Sequence, residues 1–123
     1  MKLLRVAAAS AVAVLMAGAA QAADPEAGAR VFKSQCSACH VVEAGKNRIG
    51  PSLFGIVGRT SGQVEGFKYS SANKDAKLVW TPEVLDKYLT SPRDVVKGTI
   101  MTYAGLKNDA QRADLIAYLA TVK

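Results

Sequence analysis

Cys36-Ser37-Ala38-Cys39-His40 holds the only two cysteines and the only histidine of the 123-residue chain. A disulfide between Cys36 and Cys39 would close a loop with two residues inside, and so small a loop removes little entropy from the unfolded chain. A thioredoxin-type redox pair comes with a βαβ pattern, which is absent here. Zinc asks for four ligands, against two thiols and one imidazole in this chain. The use that fits both count and spacing is covalent haem attachment. The two thiols add across the vinyl groups of the porphyrin, and the adjacent imidazole turns to the iron. Sulfurs at i and i+3 lie on one side of a helical turn, as this chemistry requires.

N-terminal to the motif, residues 1–22 read as a cleavable export signal. Lys2 and Arg5 precede an uncharged stretch from Val6 to Ala20, and Ala20-Gln21-Ala22 supplies a small-x-small cleavage site. The stretch falls short of the ~18 apolar residues of a membrane span, so stable membrane insertion is not expected. Cleavage after Ala22 leaves a domain of 101 residues, 23–123, and removes Lys2 and Arg5, so the net charge falls from +6 to +4. Cleavage one residue later, after Ala23, is the alternative. A multidomain enzyme and a disordered tail are excluded by this length and composition. A domain so small buries a sizeable core only with help, and a haem would supply it.

C-terminal to the signal, three helices are expected. The first has Asp24 as N-cap and Pro25 at its first position, places Gly28, Val31, Phe32 and Gln35 on one face, and runs into the cysteine motif. The second opens at Thr81, carries Val84, Leu85, Tyr88 and Leu89 on one side, and stops at Ser91-Pro92. The third begins with Asn108 and Gln111 in the manner of a capping box and shows a stripe of Leu115, Ile116, Leu119 and Val122. Between the first two helices, six of the ten glycines fall within positions 45–66, so turns dominate there. No alternating run is long enough for a sheet. The expected class is all-α, with loops wrapped around the cofactor.

The partner of His40 on the other side of the iron is constrained by counting. Met1 and Met16 belong to the signal, which leaves Met101 as the methionine of the mature domain, and no second histidine exists. Met101 sits in a Gly-bounded loop, Gly98-Thr99-Ile100-Met101-Thr102-Tyr103-Ala104-Gly105, rather than on an apolar helix face. That setting favours a ligand over core filler. A water-filled open site, or a lysine such as Lys97, stands as the alternative.

Over essentially all of its mature length the chain resembles a class I cytochrome c, of the mitochondrial and bacterial c2 type. The segments that carry the likeness are Cys36 to His40, Gly50-Pro51-Ser52-Leu53-Phe54-Gly55, Gly58-Arg59-Thr60, Gly66 to Lys74, Trp80, Gly98 to Met101, and Arg112 to Leu119, together with Gly28 to Phe32. The resemblance implies one haem c held through Cys36 and Cys39, with His40 and Met101 as axial ligands. It implies that the Pro51 carbonyl accepts a hydrogen bond from His40, and that Arg59, Tyr69, Trp80 and Thr99 hold the haem propionates. Asn73 and Tyr88 would join the hydrogen bonds near the Met101 sulfur, and Gly28 would let the first helix approach the last against Leu115 and Tyr118. From pattern alone, Tyr88 and Tyr118 read as core aromatics, Trp80 as a large buried side chain and Arg59 as a solvated loop charge. The chain departs from the family at Lys97 (usually proline), at Ile100 (usually lysine) and at Asp94, where a basic residue is common. Lys97 is thereby a candidate to displace Met101 at alkaline pH.

The function expected is a soluble, monomeric, periplasmic electron carrier and not an enzyme. Two retained ligands suit Fe(III)/Fe(II) cycling, and a thioether ligand raises the potential. The positive balance suits transient electrostatic docking on membrane redox complexes, such as a bc1-type donor and an oxidase or photosynthetic acceptor. Nucleic acid is a poor partner, because the basic residues are scattered. A haem peroxidase or gas sensor would need an open iron site and, for peroxide chemistry, a distal histidine that this sequence lacks. A dedicated subunit of a dehydrogenase or oxidase is the remaining competitor.

Overall fold

The structure, a computed structural model, describes residues 22–123, and the expected export signal lies outside them except for Ala22. Five helices are found: α1 Pro25–Gln35, α2 Ser71–Ala76, α3 Pro82–Thr90, α4 Pro92–Val95 and α5 Asp109–Thr121. Among the described residues there is no strand. Among these residues a single isolated bridge, Thr60 to Val79, is the one β-type pairing, and no described helix is long and apolar enough to cross a membrane.

The three expected helices form where their caps place them. The Asp24 carboxylate accepts from the Glu26 amide at 2.9 Å, the Thr81 hydroxyl from Val84 at 3.2 Å and the Asn108 side chain from Gln111 at 2.9 Å. Each cap satisfies one of the amides that a helix start leaves without a partner. The two helices beyond expectation are short. The Ser70 hydroxyl caps α2, and α4 begins on the same Pro92 that ends α3. Proline ends one helix and suits the first position of another for one reason: it has no amide hydrogen to donate. Val122, expected at the end of the α5 stripe, lies just past the helix, where its carbonyl accepts from Gly55.

The first and last helices cross in contact. A Cβ added to Gly28 would stand 1.9 Å from the Asp114 carbonyl oxygen and 2.7 Å from the Tyr118 Cβ, so only glycine permits this approach. Tyr118 was expected here, and the backbone of Asp114, next to the expected Leu115, comes nearest of all. Phe32 and Tyr118 pack with ring centroids 5.7 Å apart, and the Asp24 amide donates to the Asp114 carboxylate at 2.8 Å. Burial of Leu115, Leu119, Leu85 and Trp80 continues this contact inward to the wall of a large cavity. A further brace comes from Arg112, whose buried guanidinium reaches Asp86 on α3 at 2.6 Å and the Leu106 carbonyl at 2.9 Å.

Candidate functional site

The backbone turns sharply where α1 ends. The amides of Cys39 and His40 both donate to the Cys36 carbonyl, at 3.1 and 2.9 Å, so the helical winding runs on through the motif. Cys36 and Cys39 are free thiols, partly buried. Burial, and then the neighbouring Cys39, push the Cys36 thiol up to about 11. A redox-active cysteine is a thiolate made by a lowered pKa, and the surroundings of Cys36 push the other way.

His40 is held in one orientation. Its Nδ1 lies 2.8 Å from the Pro51 carbonyl oxygen. An oxygen of that kind only accepts, so Nδ1 carries the proton and Nε2 keeps a lone pair free for a metal. Burial pushes the imidazole below its ordinary value and keeps it neutral, with the Pro51 bond working against the shift. Gly50 makes room for the ring: a Cβ there would fall 2.3 Å from His40 Cε1.

All the residues expected at the site line one cavity of about 560 Å³. Cys36, Cys39, His40 and Pro51 contribute from the motif and the loop after it. Arg59, Tyr69, Asn73 and Trp80 contribute from the Gly-rich segment, α2 and the approach to α3. Tyr88 comes from α3, and Thr99 and Met101 from the loop after α4. Leu53, Ile56, Leu85, Leu89, Leu115 and Leu119 give the wall its apolar character. The volume lies inside the range of cofactor pockets.

The polar groups are placed individually. Arg59 is half-buried, and its two terminal nitrogens donate to the carbonyls of Phe54 and Ser52, at 2.9 and 3.1 Å. Desolvation lowers its pKa, with Tyr69 acting against that. The Tyr69 hydroxyl accepts from the Val64 amide at 3.0 Å, which leaves its proton to donate. Trp80 packs on Tyr88 with centroids 4.7 Å apart. The Tyr88 hydroxyl stands 3.9 Å from Met101 Sδ, and the Thr99 hydroxyl accepts from the Met101 amide at 3.2 Å. Burial raises the Tyr88 phenol, opposed by Thr99 beside it. Asn73 is not joined to this group: its Oδ1 is buried without any hydrogen-bond donor.

A sequence profile described as Cytochrome c matches residues 25–123. The chain belongs to the cytochrome c family. Cytochrome c2 of Rhodopila globiformis is 47% identical over 106 residues, covering 86% of this chain and 100% of that one. Cytochrome c2 of Rhodoblastus acidophilus is 48% identical over 103 residues, 83% and 95% of the two chains. Cytochrome c 2.1 of Caenorhabditis briggsae is 50% identical over 98 residues, 80% and 88%.

As a cytochrome c, the chain binds covalent haem c and is an electron carrier, not an enzyme. The residues present fit that group. Two free thiols stand at the attachment spacing, an imidazole fixed by the Pro51 carbonyl lies beside them, and the cavity wall is apolar. The unpartnered Asn73 oxygen is an acceptor that an ordered water would satisfy. Sequence reasoning missed α2, which carries Asn73 to the wall: a six-residue helix has no room for an apolar period, and its signal was the Ser70 cap. Tyr103 and Gln35 also line the cavity without having been expected there.

Proposed function

We propose that this cytochrome c is an exported, diffusible, monomeric carrier of single electrons in the periplasm, with His40 and Met101 as the axial ligands of its iron. When bound, the haem supplies a one-electron Fe(III)/Fe(II) couple. The observation that carries the reading is one cavity lined both by His40, whose Nδ1 is tied to the Pro51 carbonyl, and by Met101, whose sulfur lies 3.9 Å from the Tyr88 hydroxyl. The Pro51 carbonyl orients His40 and increases its basicity. Tyr88 and Thr99 hold Met101 in place, while the leucines and Trp80 keep water away. Arg59, Tyr69, Trp80 and Thr99 are the groups on the wall suited to holding propionates, Arg59 through the donors that its two carbonyl partners leave free.

Docking would be transient and steered by the mature charge of +4 toward acidic faces of membrane redox complexes, such as a bc1-type donor and an oxidase or photosynthetic acceptor. Removal of residues 1–22 on export would release the domain 23–123.

The test is the absorption spectrum of protein matured in the periplasm. A weak far-red band in the ferric protein that disappears in Met101→Ala supports His40/Met101 ligation. A spectrum without that band, from protein that readily binds carbon monoxide, overturns it. Mass spectrometry of the periplasmic fraction checks export: the expected N-terminus is Ala23, or Asp24 for the later cleavage, and a full-length chain in the cytoplasm would refute it.

A further inference from the structure

The loop that carries Met101 has little backbone support. Its flanking backbone hydrogen bonds lie at the two ends, from Thr99 to the Val96 carbonyl at 3.1 Å and from Leu106 to the Leu89 carbonyl at 2.7 Å. Between them, side chains hold the segment. Two of these contacts span 13 positions or fewer: the Tyr88 hydroxyl beside the Met101 sulfur, and the Thr99 hydroxyl accepting from the Met101 amide. The third is of a different kind. The Tyr103 hydroxyl donates at 3.0 Å to Oε1 of Gln35, 68 positions earlier in the chain and the last residue of α1. Gln35 precedes Cys36 directly, so this one bond joins the methionine side of the cavity to the cysteine side.

Both partners line the cavity, and Gln35 is exposed. Ile49 and Ile100, which line it too, are 77% and 66% exposed, and these residues mark its opening. The Tyr103–Gln35 pair is thus part of the cavity wall and reaches its exposed side.

We propose that Tyr103 and Gln35 are positioning residues that latch the methionine loop to the end of α1, and so set how readily Met101 yields its place to a small exogenous ligand. The proposal rests on the His40/Met101 reading above. The bond exists only with the loop closed, so removing it shifts the balance toward the open form. A neutral hydrogen bond at a partly exposed site changes such a balance by about fivefold. Where the open form is a minor species, the apparent affinity of a competing ligand changes by the same factor.

Imidazole is titrated into the ferric holoprotein, followed by absorbance, for the wild type, Tyr103→Phe, Gln35→Ala and the double variant. Each single variant is expected to bind imidazole about fivefold more tightly, and the double variant no more tightly than either, as two halves of one bond require. Amide exchange at Met101 and Thr102 gives a second readout that needs no added ligand, and is expected to rise by about the same factor in Tyr103→Phe, which keeps the ring. Unchanged imidazole affinity and unchanged exchange in Tyr103→Phe overturn the latch, as does a double variant whose effect is the product of the singles. The far-red band of the wild type separates the two ideas. If it is absent, the Met101 reading fails; if it is present while the variants behave as wild type, the latch alone fails.

Discussion

His40 Nδ1 and the Pro51 carbonyl oxygen face each other at 2.8 Å, and Gly50, the residue before Pro51, lies against the ring. The arrangement depends on the missing side chain, because a Cβ on Gly50 would overlap the imidazole at 2.3 Å from Cε1. Gly50→Ala is expected to tilt the ring away from its bond to Pro51. The expected outcome is a weakened His-ligated spectrum and a stability loss of about 2 kcal/mol from overpacking. Absorption and thermal denaturation of the holoprotein check it, and a wild-type spectrum with unchanged Tm would contradict it.

Tyr88→Phe removes the hydroxyl that stands 3.9 Å from Met101 Sδ. A donor near the thioether withdraws electron density and favours the reduced iron, so its loss should lower the reduction potential. A long contact to sulfur is worth ~0.5 kcal/mol, or about 20 mV for one electron. Voltammetry of the variant against wild type reads the sign directly, and a rise would refute the assignment.

Gly28→Ala places a methyl group on a backbone oxygen, that of Asp114 at 1.9 Å, rather than on a side chain able to turn aside. The helices must separate, which also parts the Phe32 and Tyr118 rings. A loss of about 3 kcal/mol is expected in denaturant titrations. Gly28 is outside the cavity wall, so the haem spectrum of the folded fraction should stay as in wild type.

Tyr69 supplies a pH signature. Burial raises its phenol above the ordinary value of 10.0, with the Val64 bond and Arg59 pulling back. A group whose folded pKa is raised contributes stability that is fully present below its unfolded value and is lost as pH rises through the folded one. Stability should therefore decline above about pH 10, and less steeply in Tyr69→Phe. Urea midpoints on either side of that pH test the difference in slope; equal slopes would show that Tyr69 does not titrate in this way.

How far the sequence led depends on the range of the interaction concerned. The caps at Asp24, Thr81 and Asn108 act within three residues, and each helix starts where its cap predicts. The cysteine motif is also local, and its spacing survives into the structure as a turn. Residues such as Arg59, Tyr69 and Asn73 were reachable only through the likeness to a family, since nothing in their neighbours says that loops tens of residues apart share a wall. The family pattern still did not foretell the details: Arg59 is engaged by two loop carbonyls, and Asn73 Oδ1 is buried without a hydrogen-bond donor. The Tyr103–Gln35 bond had no local signal at all. Its partners are ordinary residues in sequence and become a pair only when α1 and the methionine loop meet.

The meeting of α1 and α5 also fixes an order of events. Asp24 and Asp114 are bonded across 90 positions, and Gly28 finds its counterpart only on the last described helix. A nascent chain that lacks α5 has no Tyr118 ring for Phe32 to pack against and no Leu115 to close the core. Structure in such a chain would be confined to local turns, whatever the strength of its caps. The polypeptide should thus remain a pliable thread until α5 has been made.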